Sequence, residues 1–169
     1  MLDILFNFII LPWWFSLPGY IANICPGLAR SVPGGKIPVS KKYLGPNKTI
    51  AAIPAALLGA LLIAYFQSML KYGDNYPTAH WLTIALCFGL GVPLGDWTKS
   101  FAKRRLGIEP GGKWWVEKID FLVMSFLFLT VFYGPLPIEY YIVPISFYLI
   151  VHGPGNKLSY KLGWRNSPH

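Results

Sequence analysis

The chain has 169 residues, of which 54% are hydrophobic and 13% charged, and its formal net charge is +8. So few charged groups exclude an ordinary water-soluble domain of this length and indicate an integral membrane protein. The basic residues lie in short stretches between apolar runs and form no known nucleic-acid module. Anionic head groups or nucleotides are therefore expected as partners, and nucleic acid is not.

Five apolar stretches are candidates to cross a hydrocarbon core of about 30 Å. In chain order they cover residues 2–24, 49–70, 80–94, 116–133 and 136–151. The third and fifth are short and contain glycine or proline, so four spans plus a re-entrant segment remain an alternative. The first lacks a basic start and a clear cleavage site, so it is expected to stay as a helix.

The basic residues predict an orientation for these spans. Five Lys or Arg residues lie within 30–48, six within 99–118 and three after residue 152, whereas the second loop has Lys71 alone. By the positive-inside rule, the fourteen belong to the cytoplasmic side. The sequence thus predicts an all-α integral membrane protein of about five helices, with its N-terminus outside and its C-terminus cytoplasmic. Residues 1–169 form a single domain, with cytoplasmic loops at about 29–48 and 97–115.

Acids and bases stand together at the predicted cytoplasmic ends of spans three and four. Asp96, Ser100 and Lys103 are spaced four and then three residues apart, so on a helix they share one face. Asp120 opens the next span at a similar depth, so the two aspartates can converge on one metal ion. Mg²⁺ fits best, because it needs only one or two protein carboxylates when phosphate and water complete its shell. Glu117 is either a further ligand or a solvated charge near the helix start.

Other polar residues lie at the same predicted side of the membrane. The Gly-Pro-Asn turn before Lys48 and Thr49 offers amides and a cation to a phosphate, with Thr49 as a helix cap, although such turns are common. Asn23 ends the first span, and His152 stands four residues before Asn156 at the end of the fifth. Each of these has an ordinary packing role as its alternative.

Several of these segments together resemble a known family. They are Leu-Gly-Asp at 94–96, Lys-Ser-Phe at 99–101, Lys-Arg-Arg at 103–105, Asp-Phe at 120–121, Gly-Pro-Asn-Lys-Thr at 45–49, and Tyr20, Asn23, Pro26, His152 and Asn156. The chain is similar over nearly its whole length to the archaeal CDP-archaeol synthases. That family is related to the CDP-diacylglycerol synthases.

The resemblance implies a CTP-dependent nucleotidyltransferase of archaeal phospholipid biosynthesis in the cell membrane. It would transfer cytidylyl from CTP to an unsaturated ether lipid phosphate, with Mg²⁺ as cofactor. The expected catalytic residues are Asp96, Asp120 and Lys103, of which the two aspartates bind the metal. The expected substrate-binding residues are Asn23, Lys48, Thr49, Ser100, Arg104, His152 and Asn156. The rival hypothesis is a non-enzymatic transporter or binding protein for lipids or anions, in which the aspartates only pair with lysines.

Overall fold

The computed structural model describes residues 2–70, 80–108 and 118–161, with the backbone alone for Leu2 and residues 155–161. These ranges are helical, apart from turns and an isolated bridge between Pro38 and Thr49. The helices are α1 (Leu2–Leu5), a π-helical turn (Phe6–Ile10), α2 (Leu11–Phe15), α3 (Leu17–Ala29), α4 (Ala52–Leu70), α5 (Trp81–Arg105), α6 (Asp120–Phe132) and α7 (Glu139–Lys161). The predicted all-α class is confirmed for the described residues.

The first predicted span is a broken helical path rather than one straight helix. The break lies at Ser16, whose hydroxyl donates to the carbonyl of Pro12 at 3.2 Å, and α3 starts again with Pro18 in its first turn. Proline is accepted there because the first helical amides have no intrahelical partner. Gln67 of α4 is fully buried and donates to the carbonyl of Trp14 at 2.6 Å, just before the break. Pro18, four residues after Trp14, has no N–H to donate, and Gln67 supplies a donor to the Trp14 carbonyl in its place.

The surface of α4 is typical of a helix in an apolar solvent. It buries small residues, among them Ala56 and Ala60, while Leu58 and Leu62 are 62% and 69% exposed. A soluble amphipathic helix buries its large apolar residues and exposes polar ones. This helix instead buries small residues and exposes large apolar ones, which suits contact with lipid. By length and hydropathy, Asp3–Ala29 and Ala52–Leu70 could cross a membrane, and Asp120–Phe132 is a shorter apolar helix.

The structure corrects the predicted boundary between span three and the loop at about 97–115. A single helix, α5, continues from Trp81 to Arg105, so residues 97–105 are helical. Lys and Arg are good helix formers, and Lys103, Arg104 and Arg105 in the last turn oppose the negative end of the helix dipole. The chain then turns at Gly107, whose φ is +73°. Residues 109–117, among them Glu117, lie outside the described residues.

Two other boundaries differ from the prediction. Residues 48–50 pair with residues 37–39 around the bridge between Thr49 and Pro38: Val39 donates its amide to the Lys48 carbonyl at 2.7 Å, and Ile50 donates to the Ile37 carbonyl at 3.0 Å. Helix α4 therefore begins at Ala52, and the expected cap at Thr49 is wrong. At the other end of the chain, α7 runs to Lys161, which confirms that His152 and Asn156 lie on one helical continuation.

Helix α5 is the centre of the bundle. It packs against α3, α4 and α6, whereas α7 packs mainly against α2. Edge-to-face aromatic pairs connect these helices. The ring centroid of Phe15 lies 6.0 Å from that of Phe88 and 5.2 Å from that of Tyr140, and the centroids of Phe88 and Phe126 are 6.1 Å apart. Edge-to-face pairs of this kind stabilise a core beyond simple area burial. The result is a fixed central helix that carries Asp96 near its C-terminal end.

Candidate active site

Two glycines bring α5 and α6 into backbone contact. A Cβ atom at Gly91 would lie 2.5 Å from the Cα atom of Ser125, and one at Gly95 would lie 2.6 Å from the carbonyl oxygen of Asp120. No real side chain fits at such distances, so the helices approach this closely only because both positions are glycine. Gly91 and Gly95 are one helical turn apart on the same face. Their contact places Asp96, the next residue, beside the first turn of α6.

Lys99 joins the two predicted metal ligands. Its Nζ atom lies 2.9 Å from Oδ1 of Asp96, one turn earlier on α5, and 2.8 Å from Oδ2 of Asp120 on α6. The side chain of Lys99 is 13% exposed and that of Asp120 is 7% exposed. The structure thus brings Asp96 and Asp120 to one ammonium group, as expected for carboxylates that converge on a cation.

A second lysine reaches Asp96 from the loop between α3 and α4. Lys48 Nζ lies 2.7 Å from Oδ1 and 2.6 Å from Oδ2 of Asp96. The backbone pairing of residues 48–50 with 37–39 holds Lys48 in this position. Lys48, Asp96, Lys99 and Asp120 form what we call the ion-pair cluster, in which two positive and two negative charges cancel. Asp96 is its most open member, at 35% exposure, so the cluster is accessible from that side.

The residues of the ion-pair cluster fit a magnesium ion that arrives with phosphates. No group of three or more His, Cys, Asp or Glu residues suited to a metal occurs in the described ranges. Two carboxylates are enough for Mg²⁺, however, when phosphate and water supply the other oxygens. Oδ2 of Asp120 is buried and contacts Lys99, yet it takes no well-aligned hydrogen bond within those ranges. A carboxylate oxygen with spare acceptor capacity suits metal binding.

The basic end of α5 lies beside the Gly-Pro-Asn turn. Lys103 is 5% exposed, two turns after Asp96. Arg104 donates through Nη1 to the carbonyl of Ile108, and its Nε lies 3.9 Å from where a Cβ of Gly45 would be. The turn and the arginine are therefore neighbours, as expected if both face one anionic ligand. Ser100 is buried, and its hydroxyl donates to the carbonyl of Asp96 one turn earlier on the same helix, at 2.8 Å.

A second group of predicted residues meets around a tyrosine. Asn23 Nδ2 donates to the Tyr148 hydroxyl at 3.4 Å, and the ring of His152 lies 5.0 Å from that of Tyr148. Tyr20 stacks on Tyr148 at 6.1 Å, and Phe121 lies 4.7 Å from it. We call Tyr20, Asn23, Phe121, Tyr148 and His152 the aromatic cluster. Since Phe121 follows Asp120, the aromatic cluster adjoins the ion-pair cluster.

The structure therefore joins some predicted site residues and separates others. Lys48 contacts Asp96 directly, Asp96 and Asp120 meet through Lys99, and Asn23 and His152 meet through Tyr148. Thr49 is buried at the Pro38 bridge, and the side chain of Asn156 lies outside the described part of the chain.

The predicted site lacked two residues, Lys99 and Tyr148. Their spacing was a signal for both: Lys99 follows Asp96 by three residues, and Tyr148 precedes His152 by four. Each is thus one helical turn from a predicted site residue.

Comparisons with known proteins identify the family. A family model described as CarS-like, CDP-archaeol synthase, matches residues 1–169. The CDP-archaeol synthase of Methanospirillum hungatei JF-1 is 31% identical over 169 residues, covering 90% of this chain and 99% of that protein. The one from Picrophilus torridus is 32% identical over 171 residues, covering 90% and 92%.

A solved structure has the same fold. It is that of an intramembrane enzyme for archaeal membrane lipids biosynthesis, and it superposes with a TM-score of 0.71 at 24% identity, covering 85% of this chain and 90% of that one. The family match over the whole chain, together with relatives above 30% identity over most of both sequences, confirms the resemblance seen in the motifs. The chain belongs to the CarS-like family of CDP-archaeol synthases.

Proposed function

We propose that the protein transfers the cytidylyl group of CTP to an unsaturated archaeal ether lipid phosphate, 2,3-di-O-geranylgeranylglyceryl phosphate, forming CDP-archaeol and pyrophosphate. Membership of the family makes it a CTP-dependent nucleotidyltransferase of archaeal lipid biosynthesis. The observation that best supports transfer at this site is the convergence of Asp96 and Asp120 on Lys99. A buried carboxylate, that of Asp120, and a partly exposed one, that of Asp96, beside several cations suit a metal-bound triphosphate better than they suit simple packing.

The chemistry requires alignment and charge neutralisation rather than a general base. An oxygen of the lipid phosphate attacks the α-phosphorus of CTP, and the bond from that phosphorus to the oxygen bridging to the β-phosphate breaks. The attacking phosphate is already an anion, so no proton needs to be removed. The barrier lies in bringing two anions together and stabilising the departing pyrophosphate.

Each predicted residue has a role in that reaction. Asp96 and Asp120 would hold Mg²⁺, which when bound supplies charge stabilisation to phosphate oxygens. Lys103 and Arg104 neutralise the triphosphate, and Lys48 holds a nucleotide or lipid phosphate. The residues that orient the substrates are Asn23, Ser100, His152 and Asn156.

The proposal includes a membrane topology. The five helical stretches cross the bilayer, with the N-terminus outside and the active site and C-terminus on the cytoplasmic side. The positive-inside rule supports this orientation, because Lys48, Lys103 and Arg104 all belong to the basic side.

Single-cysteine labelling tests the topology. In a Cys25→Ala, Cys87→Ala background, Lys41→Cys should react with an impermeant maleimide only in inside-out vesicles. Pro135→Cys should react only in right-side-out vesicles, because it lies in the hairpin between α6 and α7; both residues are exposed. The opposite pattern would contradict the proposed orientation.

Pyrophosphate release by the purified protein tests the activity. CTP is compared with ATP, GTP and UTP, and the acceptor is either the geranylgeranyl ether phosphate or a diacylglycerol phosphate. We expect turnover with CTP and the ether lipid. Preference for the diacyl acceptor would indicate a bacterial-type specificity, and no turnover by folded protein would favour the transporter or binding hypothesis.

A further inference from the structure

Lys99 occupies the space between the two proposed metal ligands. Its Nζ lies within 2.9 Å of Asp96 and 2.8 Å of Asp120, so the ammonium is the shared counter-ion of both carboxylates. Lys48 contacts only Asp96 of the two. A cation bound by both aspartates would therefore meet Lys99 first, and Lys48 only on the open side of Asp96.

The arrangement makes contact with Lys99 and binding of a divalent cation mutually exclusive. A cation bound to both carboxylates would share the space of the ammonium, and two cations at contact distance repel each other strongly where the dielectric constant is low. Lys99 has a flexible four-carbon side chain, so its ammonium group can move away. Asp120 is 7% exposed and lies where the backbones of α5 and α6 touch, so its carboxylate stays in place. Metal binding is thus an exchange in which the ammonium moves and the carboxylates stay.

From this geometry we propose that Lys99 is a displaceable internal cation. It holds Asp96 and Asp120 together while no metal is bound, and it leaves when the metal binds. The proposal rests on the assignment of the metal to Asp96 and Asp120. Lys99 is a positioning residue in this scheme, since it prepares the carboxylates for the metal. Lys99 also raises the metal concentration needed for binding, because the metal has to compete with an ammonium already in place.

Metal binding without nucleotide tests the exchange directly. Mn²⁺ is titrated against purified protein in detergent, and free Mn²⁺ is measured by its electron paramagnetic resonance signal. Lys99→Gln removes the charge but keeps an amide that can donate to a carboxylate, and Lys99→Met removes both. Lys41→Gln is the matched control, because Lys41 is an exposed lysine of the basic loop. Asp120→Asn removes a proposed ligand.

We expect Lys99→Gln to bind Mn²⁺ about tenfold more tightly than the wild type, because the competing cation is gone. Lys41→Gln should match the wild type, and Asp120→Asn should bind more weakly. Affinity that is unchanged or weaker in both Lys99 variants would overturn the exchange. If Asp120→Asn bound Mn²⁺ as the wild type does, the metal assignment itself would fail, which is a different outcome.

Thermal unfolding gives a second readout. With a chelator, the Lys99 variants should unfold at a lower temperature than the wild type, because Asp96 and Asp120 then lack their shared cation. Added Mn²⁺ should raise the unfolding temperature of the variants more than that of the wild type, since tighter binding stabilises more. If the variants lost stability and Mn²⁺ raised their unfolding temperature no more than that of the wild type, Lys99 would serve only as a partner in structural ion pairs.

Discussion

The ion-pair cluster and the aromatic cluster adjoin each other but are held by different forces. The first consists of two aspartates and two lysines whose contacts are 2.6–2.9 Å long. The second consists of stacked and edge-on rings together with the 3.4 Å hydrogen bond from Asn23 to Tyr148. Charged partners must exchange when charged substrates arrive, whereas ring contacts can stay as they are.

The comparison suggests a division of labour. The ion-pair cluster is suited to the triphosphate and its metal, where charge develops and moves. The aromatic cluster is neutral, lies on the side of α3 and α7, and suits orientation of a substrate by shape and hydrogen bonding. Substitutions should therefore have large effects on rate in the first cluster and small effects on binding in the second.

Removal of one carboxylate charge should have the largest effect. Asp96→Asn and Asp120→Asn each keep side-chain volume but lose a metal ligand, so cytidylyl transfer should fall by roughly 10³-fold or more. Asp3→Asn, at an exposed aspartate, is the control and should leave the rate unchanged. The rate is measured from pyrophosphate release with CTP and the ether lipid. Full activity in either site variant would contradict the large effect on rate that we expect for the ion-pair cluster.

Loss of the loop lysine should have the next largest effect. Lys48→Met leaves Asp96 with one cation and removes a phosphate partner, so kcat/KM should fall on the order of 100-fold. The matched control is Lys41→Met, an exposed lysine of the same loop. Equal losses in the two variants would mean that the net charge of the loop matters rather than the contact with Asp96.

Widening the close contact between α5 and α6 should reduce activity, because it moves Asp96 and Asp120 apart. The Cβ atom of Gly95→Ala would lie 2.6 Å from the Asp120 carbonyl oxygen, so the helices must separate and the two carboxylates with them. We expect activity to fall by about 10- to 100-fold. Gly27→Ala meets nothing within 4 Å and is the control. Wild-type kinetics in Gly95→Ala would show that the reaction tolerates wider spacing of the carboxylates.

The smallest effect is expected in the aromatic cluster. Tyr148→Phe keeps the ring contacts with Tyr20 and Phe121 but removes the hydroxyl that accepts from Asn23. One neutral hydrogen bond corresponds to a change of about two- to tenfold, which should appear mainly in KM. Separate titrations of CTP and lipid phosphate identify the affected substrate. A loss as large as that in Asp120→Asn would place Tyr148 in the chemistry instead.

Much of this architecture follows from local sequence patterns. Apolar runs located the helical stretches, and the spacing of His152 and Asn156 predicted the continuation of α7. The helical spacing of Asp96, Ser100 and Lys103 predicts helix beyond span three, and α5 confirms it by continuing to Arg105, so only the start of the loop at about residue 97 is wrong. The start of α4 was misplaced at Thr49 because pairing with Pro38 is a contact between distant residues.

In the candidate site, too, local sequence patterns do not predict contacts between distant residues. Asp96 and Asp120 were predicted to converge from their positions at two span ends, and they do meet at one cation. That this cation is Lys99 depends on how closely α5 and α6 approach, which the backbone contact at Gly91 and Gly95 decides. Lys99 stands one helical turn from Asp96, so its contact with that residue follows from spacing along α5. Its reach to the second helix is a tertiary property that spacing within one helix does not contain.

Transfer of a labelled phosphate shows whether cytidylyl transfer by this protein depends on a metal ion. Wild-type protein is incubated with ether lipid phosphate and CTP labelled at the α-phosphate, first with magnesium, then with a chelator in excess, then with magnesium restored. We expect label to enter the lipid, to stop entering it on chelation and to enter it again when magnesium returns. Label that stays out of the lipid, or enters it equally in the presence of the chelator, would contradict metal-dependent cytidylyl transfer by this protein.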